Sequence, residues 1–286
     1  LAIKVYKPGE RPKSFRRVAL YGDPKIGKSR LATSLPWGEY GWGEKAVYVA
    51  WDPGTEDWEN SPILEQDREH LIFARGEAEI GKDGRLMPFD PLEAAIELAS
   101  RDWKSVDPEI ETIIWDTMTY TATDLLAAIA PQGLYGNNIT LGKRGTNSHV
   151  AQPQQGDYGA AQNCVKHILD FLFSQPLNVI VLFHAKMTDP EDAEVVGGPA
   201  TAGKAGIRPI AGLFDNLFRI GAKRVRIGTG TPPTYETHRV VYTEPNGYWL
   251  AGMRSPQKSN NIKEFRIDDK EPVSFWHALE KAKGAK

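Results

Sequence analysis

The chain has 286 residues, 41% hydrophobic and 25% charged, the profile of a globular protein rather than a disordered or fibrous one. A formal net charge of −2 excludes a strongly basic nucleic-acid coat but leaves room for a local basic patch. The single Cys164 excludes an intramolecular disulfide and a cysteine-based metal cluster; with no secretory pattern and no apolar run of membrane-spanning length, a cytoplasmic setting without membrane partners is predicted.

Residues 1–16 form a basic segment, with Lys4, Lys7, Arg11, Lys13 and Arg16 against Glu10. A core is expected over 17–256, followed by a C-terminal segment, 257–286, that carries a helix. The apolar run 17–21 ends at Gly22 and predicts a buried strand. A Gly/Pro loop follows, and a helix starts at 28–34 and stops before Pro36. Residues 46–51 predict a second strand, broken by Asp52-Pro53-Gly54, and the acidic stretch 51–70 follows. A third strand is expected at 71–74, a helix at 92–103, a fourth strand at 112–115 closed by Asp116, and a helix at 120–129.

Residues 131–156 are polar and rich in Gly, Asn and Gln, and predict a long loop. A helix at 158–173 leads to the strongly apolar strand 179–183, which ends at His184. A second irregular stretch is expected over 187–208. The basic segment 201–230 holds two expected strands, 217–221 and 224–228, which form a meander with 238–242 and turn through 229–235. A last helix is expected at 275–282. Strands alternating with helices in the first two thirds predict an α/β fold, a mainly parallel sheet flanked by helices, with antiparallel strands added at the C-terminal edge.

Gly22-Asp23-Pro24-Lys25-Ile26-Gly27-Lys28-Ser29 fits the pattern G-x-x-x-x-G-K-[ST] between a predicted strand and a predicted helix that continues through Arg30. The two glycines free the backbone to turn its N–H groups on an anion. Lys28 is suited to the β- and γ-phosphates of ATP, Ser29 to Mg²⁺, and the helix start adds its positive end. Asp23 must point away from such phosphates, or Lys25 must offset it. The carboxylate that would hold the Mg²⁺ hydration shell is predicted at Asp116; an Asp capping the next helix is the structural alternative. Asp52 or Glu56 is placed to orient an attacking water, unless 52–55 is merely a turn. His184, at a strand's C-terminal end, faces the expected ligand crevice and is a candidate γ-phosphate sensor.

These segments together resemble the RecA-like P-loop ATPases, and within them the phage-encoded nucleotide-binding proteins of the single-strand-annealing recombinase group. The likeness rests on the loop Gly22–Ser29, the turn 52–55, Ile113–Thr117, Gly156–Gly159, the strand 178–185, Gly198-Pro199-Ala200, Gly203-Lys204-Ala205 and 209–215. It implies a slow, DNA-stimulated ATPase acting on single-stranded DNA in phage recombination or replication, inside the host cell. The implied partners are DNA, further copies of the chain in a ring or filament, and a single-strand-binding protein. Lys28, Asp52, Asp116 and His184 would serve catalysis. The two irregular stretches would place Lys143, Arg144, Lys204 and Arg208 on DNA phosphates. Arg254 would reach a neighbour's ATP; the Lys that often accompanies such an Arg is absent, and Asp52 stands where the family usually has Glu. A nucleotide-gated assembly module with little catalysis and a small-molecule or nucleotide kinase are the other readings, although no Arg-rich lid follows the second helix.

Overall fold

In the computed structural model the described residues are 15–51, 67–76, 90–130, 153–188, 196–228, 233–253, 263–267 and 271–282. In chain order the elements are β1 (Arg17–Gly22), α1 (Lys28–Thr33), β2 (Lys45–Ala50), β3 (Leu71–Ala74), α2 (Pro91–Ser100), α3 (Trp103–Val106), β4 (Ile110–Asp116) and α4 (Met118–Ile129). Then come α5 (Gln155–Ser174), β5 (Asn178–Met187), β6 (Gly197–Pro199), α6 (Ile207–Ala211), β7 (Asn216–Ile227), β8 (Thr234–Tyr242), β9 (Gly252–Met253), β10 (Glu264–Arg266) and α7 (Val273–Ala282).

The sheet runs β10-β8-β7-β1-β5-β4-β2-β3, with β6 beside β5 and β9 beside β7. All pairings from β7 to β3 are parallel, whereas β8 and β10 add antiparallel. Because strand side chains alternate faces, the central strands feed two apolar layers. Ala19, Tyr21, Ile113, Trp115, Val179 and Val181 join residues of α2, α4 and α5 on one face. Val18, Leu20, Ile114, Ile180 and Leu182 join Leu31 of α1 and Phe275, Trp276 and Leu279 of α7 on the other.

Helix starts lie earlier than apolar spacing predicts, because polar caps set them. Asp90 accepts from the N–H groups of Leu92 and Glu93, with Pro91 in the first turn of α2. Thr117 caps α4 through the N–H of Tyr120. The Asp157 carboxylate accepts from the Gln154 N–H at 2.7 Å, closing a reciprocal cap on α5. The helix expected over 92–103 divides into α2 and α3.

Two expectations are corrected in the last third. Residues 217–221 and 224–228 are one strand, β7, which pairs continuously with β8 from Arg219 to Ile227. Its first half also pairs in parallel with β1, so it belongs to the main sheet rather than to an appended meander. Among the described residues the far half has β8 alone beside it and is exposed on both faces, which gives it the polar sequence that reads as a break. Tyr235, expected in the turn, lies in β8.

The α7 helix is stapled to α1. The Trp276 indole N–H donates to the Leu31 carbonyl at 2.8 Å, and its ring meets Trp42 edge-on at 5.0 Å. The Arg16 guanidinium lies 4.6 Å over Trp42 and 3.0 Å from the Glu280 carboxylate. Trp276 is fully buried. Trp276→Ala is therefore expected to lower stability by about 3–5 kcal/mol, measured by urea unfolding.

Candidate functional site

The loop from Gly22 to Ser29 joins β1 to α1 at the C-terminal edge of the parallel strands. Gly22 is required by a close approach: a Cβ there would lie 2.4 Å from the Ile220 carbonyl oxygen of β7. Gly27 has φ 95°, in the left-handed region, and its carbonyl accepts the Leu31 N–H that opens α1. Lys28 is buried, and its Nζ donates to the carbonyls of Gly22 at 3.2 Å and Asp23 at 2.9 Å. The Asp23, Pro24 and Lys25 side chains are exposed, which agrees with the first of the two alternatives for Asp23. Ile26, Gly27, Ser29 and Arg30 are half-buried.

Asp116 ends β4 and is 2% exposed. The Ser29 hydroxyl donates to its Oδ2 at 2.5 Å, and the Tyr48 hydroxyl of β2 donates to the same oxygen. A carboxylate this deeply buried requires such donors. Tyr48 was not singled out in the sequence; only the β2–β4 pairing brings it there. Beside the loop, burial pushes the Tyr21 hydroxyl well above its usual range. It therefore stays a neutral donor, bonded to the Leu250 carbonyl.

The β1–β5 register sets His184 opposite Gly22. Its N–H donates to the Thr119 hydroxyl at 2.9 Å, its carbonyl accepts from the Ala200 N–H at 2.7 Å, and its ring faces the edge of Tyr120 at 5.3 Å. Thr119 in turn donates to the Ala200 carbonyl at 2.8 Å. The strand expected to end at His184 continues to Met187, and β5, the first turn of α4 and the segment after β6 are thus hydrogen-bonded together.

Asp52, Glu56, Lys143, Arg144 and Arg254 lie outside the described residues. Trp51, just before Asp52, donates from its N–H to the Asp116 carbonyl at 2.6 Å and from its indole to the Asp124 carboxylate at 2.8 Å. The stretch 187–208, expected to be irregular, holds the end of β5, the strand β6 and the start of α6. Two features give it order: β6 pairs with β5, and the Gln162 amide donates to the Ala202 carbonyl at 2.5 Å. Lys204 and Arg208 are both exposed, with Arg208 on the short helix α6.

The residues suit Mg²⁺–nucleotide. Gly27, at φ 95°, lets the loop backbone turn without a Cβ, and the fold sets a buried lysine, a hydroxyl and a carboxylate beside it. Mg²⁺ takes one or two protein groups with phosphate oxygens and waters rather than an all-protein cage. Among the described residues no group of three or more His, Cys, Asp or Glu is placed to hold a metal ion. No described helix is long and apolar enough to cross a membrane.

A family model described as an AAA domain matches residues 14–255. The chain belongs to the AAA domain family. This AAA domain is a P-loop NTPase domain, and its sheet has the RecA-like layout that the sequence resemblance implied. Among solved structures it is similar to a KaiC-like protein from the hyperthermophilic archaeon Pyrococcus horikoshii OT3, at 12% identity and a TM-score of 0.48 over 93% of this chain and 90% of that one. It is also similar to the RadB recombinase, at 14% identity and a TM-score of 0.42 over 90% of each chain. No curated protein matches its sequence.

In this AAA domain Tyr48→Phe removes a hydroxyl donor from a buried carboxylate. The expected result is a loss of about 1–3 kcal/mol of stability, read from urea unfolding without nucleotide.

Proposed function

We propose that this AAA domain binds ATP with Mg²⁺ and hydrolyses it slowly, and that it acts on single-stranded DNA in phage recombination or replication. The observation that carries the nucleotide part is the meeting of Ser29 with Asp116 at the mouth of a loop that holds Lys28 buried. Lys28 and the loop 22–30, through its backbone N–H groups other than at Pro24, bind the polyphosphate. Ser29, with Asp116 through water, holds Mg²⁺, which when bound offsets charge on the phosphate oxygens. Asp52 orients the attacking water. The carboxylate of Asp is shorter than that of Glu by about one bond length, which supports slow turnover. His184, beside Gly22, senses the γ-phosphate, and its bonds through Thr119 to Ala200 support a link to the 196–208 segment.

DNA contact is assigned to Lys143, Arg144, Lys204 and Arg208; the exposure of Lys204 and Arg208 supports their availability. Assembly of copies brings Arg254 to a neighbour's nucleotide, and a single-strand-binding protein is the further partner. The work is placed in the cytoplasm of a phage host.

Phosphate release from Mg-ATP, with and without single-stranded DNA, tests this reading. Release that rises with DNA and disappears in Lys28→Ala is expected. ATP bound without release would replace it with a nucleotide-gated module, and release that needs a small acceptor and ignores DNA would replace it with a kinase. The DNA assignment has its own check. Lys204→Ala with Arg208→Ala is expected to weaken single-strand binding and to lower the slope of log affinity against log salt by about 1–2. An unchanged slope and affinity would reject these two residues as phosphate contacts.

A further inference from the structure

We propose that Arg239 is a nucleotide-binding residue supplied by the chain's own β8 strand, contacting the α/β side of the bound polyphosphate. The proposal rests on the nucleotide reading above and adds a residue to it. Arg239 Nη1 lies 3.5 Å from the Ile26 carbonyl, and a Cβ on Gly27 would come within 2.3 Å of the same nitrogen. The guanidinium therefore lies directly on the phosphate loop where α1 begins.

The backbone fixes that position from both sides. Arg239 pairs with Ala222 of β7, whose small side chain leaves room, and its carbonyl accepts from the Ile267 N–H at 2.9 Å. Val241, two residues on and so on the same face of β8, is fully buried in the apolar layer that includes Leu31 of α1. Arg239 thus shares the α1 face. The Lys28 ammonium and the Arg239 guanidinium are thus both set against one loop. Arg presents a fork of donors suited to phosphate oxygens.

Strand order decides which part of the polyphosphate it meets. From β1, Asp116 lies two strands to one side, across β5 on β4, and Arg239 two strands to the other, across β7 on β8. Ser29 and Asp116 mark the Mg²⁺ and γ-phosphate end. Arg239 flanks the opposite end, so it serves diphosphate and triphosphate alike and does so without the metal.

Calorimetric titration of the full chain with ATP and ADP, each with Mg²⁺ and with a chelator, tests this. Arg239→Gln is expected to weaken both nucleotides equally, about tenfold, in either condition, with Arg239→Lys recovering part. Asp116→Asn is the contrast, its loss confined to Mg²⁺. Unchanged affinity in Arg239→Gln, a loss for ATP alone, or a loss only with Mg²⁺ would each overturn the assignment. Arginine modification of the wild-type chain by a dicarbonyl reagent, read by mass spectrometry, does not depend on any variant folding. ADP is expected to protect Arg239, and full labelling in saturating ADP would overturn the proposal. If the wild type bound neither nucleotide, the nucleotide reading itself would fall. Binding lost in Lys28→Ala but kept in Arg239→Gln would reject Arg239 alone.

Discussion

The Asp116 carboxylate, 2% exposed, accepts hydroxyls from two elements that are distant in sequence: Ser29 at the start of α1 and Tyr48 on β2. A charge so deeply buried costs several kcal/mol unless its oxygens are satisfied. That requirement couples three parts of the chain. The β4 strand must end level with β2, α1 must lean over that end, and the loop between β1 and α1 must take the path that puts Ser29 there. The Trp51 N–H on the Asp116 carbonyl adds the chain leaving β2 to the same knot. The two apolar layers make the arrangement affordable in stability terms by packing on both faces of the central strands.

A second organising feature is the long strand β7, which answers to two neighbours in succession. Its first half lies parallel to β1 and, through the Ile220 carbonyl, crowds Gly22. Its second half leaves the sheet body and runs with β8 as a two-stranded ribbon. Alternation sorts the ribbon into unlike faces: Arg224, Arg226, Tyr235 and Arg239 on one, Lys223, Val225 and Ile227 on the other. Arg224 stacks on Tyr235 at 4.3 Å, so the basic face is partly ordered by its own aromatic contact. Arg239 stands at its root, against the phosphate loop.

The parts of the site that were legible in the sequence are those specified by neighbours in the chain. Every fixed position of the phosphate loop is local, and Asp116 announces itself as a carboxylate ending an apolar strand. His184 was legible as the close of an apolar run, although the continuation of β5 to Met187 was not, nor were its partners Thr119 and Ala200, which arrive from other elements. Tyr48 and Arg239 were invisible for a related reason. A tyrosine in an apolar strand and an arginine in a polar one carry no signal until strand order sets them beside Asp116 and Gly27. The continuity of β7 was hidden because exposure on both faces erases the alternation that marks a strand. The order in 196–208 was missed because short strands and glycine contacts lack any period.

The two carbonyl bonds of Lys28 have a consequence for ligand choice. The ammonium already rests on the Gly22 and Asp23 oxygens, with its side chain buried. An incoming ligand therefore competes with neutral acceptors for the ammonium. A neutral ligand offers nothing better than what the lysine holds, whereas a charged phosphate oxygen makes the stronger, charge-assisted bond. Entry to the loop thus sorts ligands by anionic charge, and the carbonyl bonds hold the lysine in place before any ligand arrives.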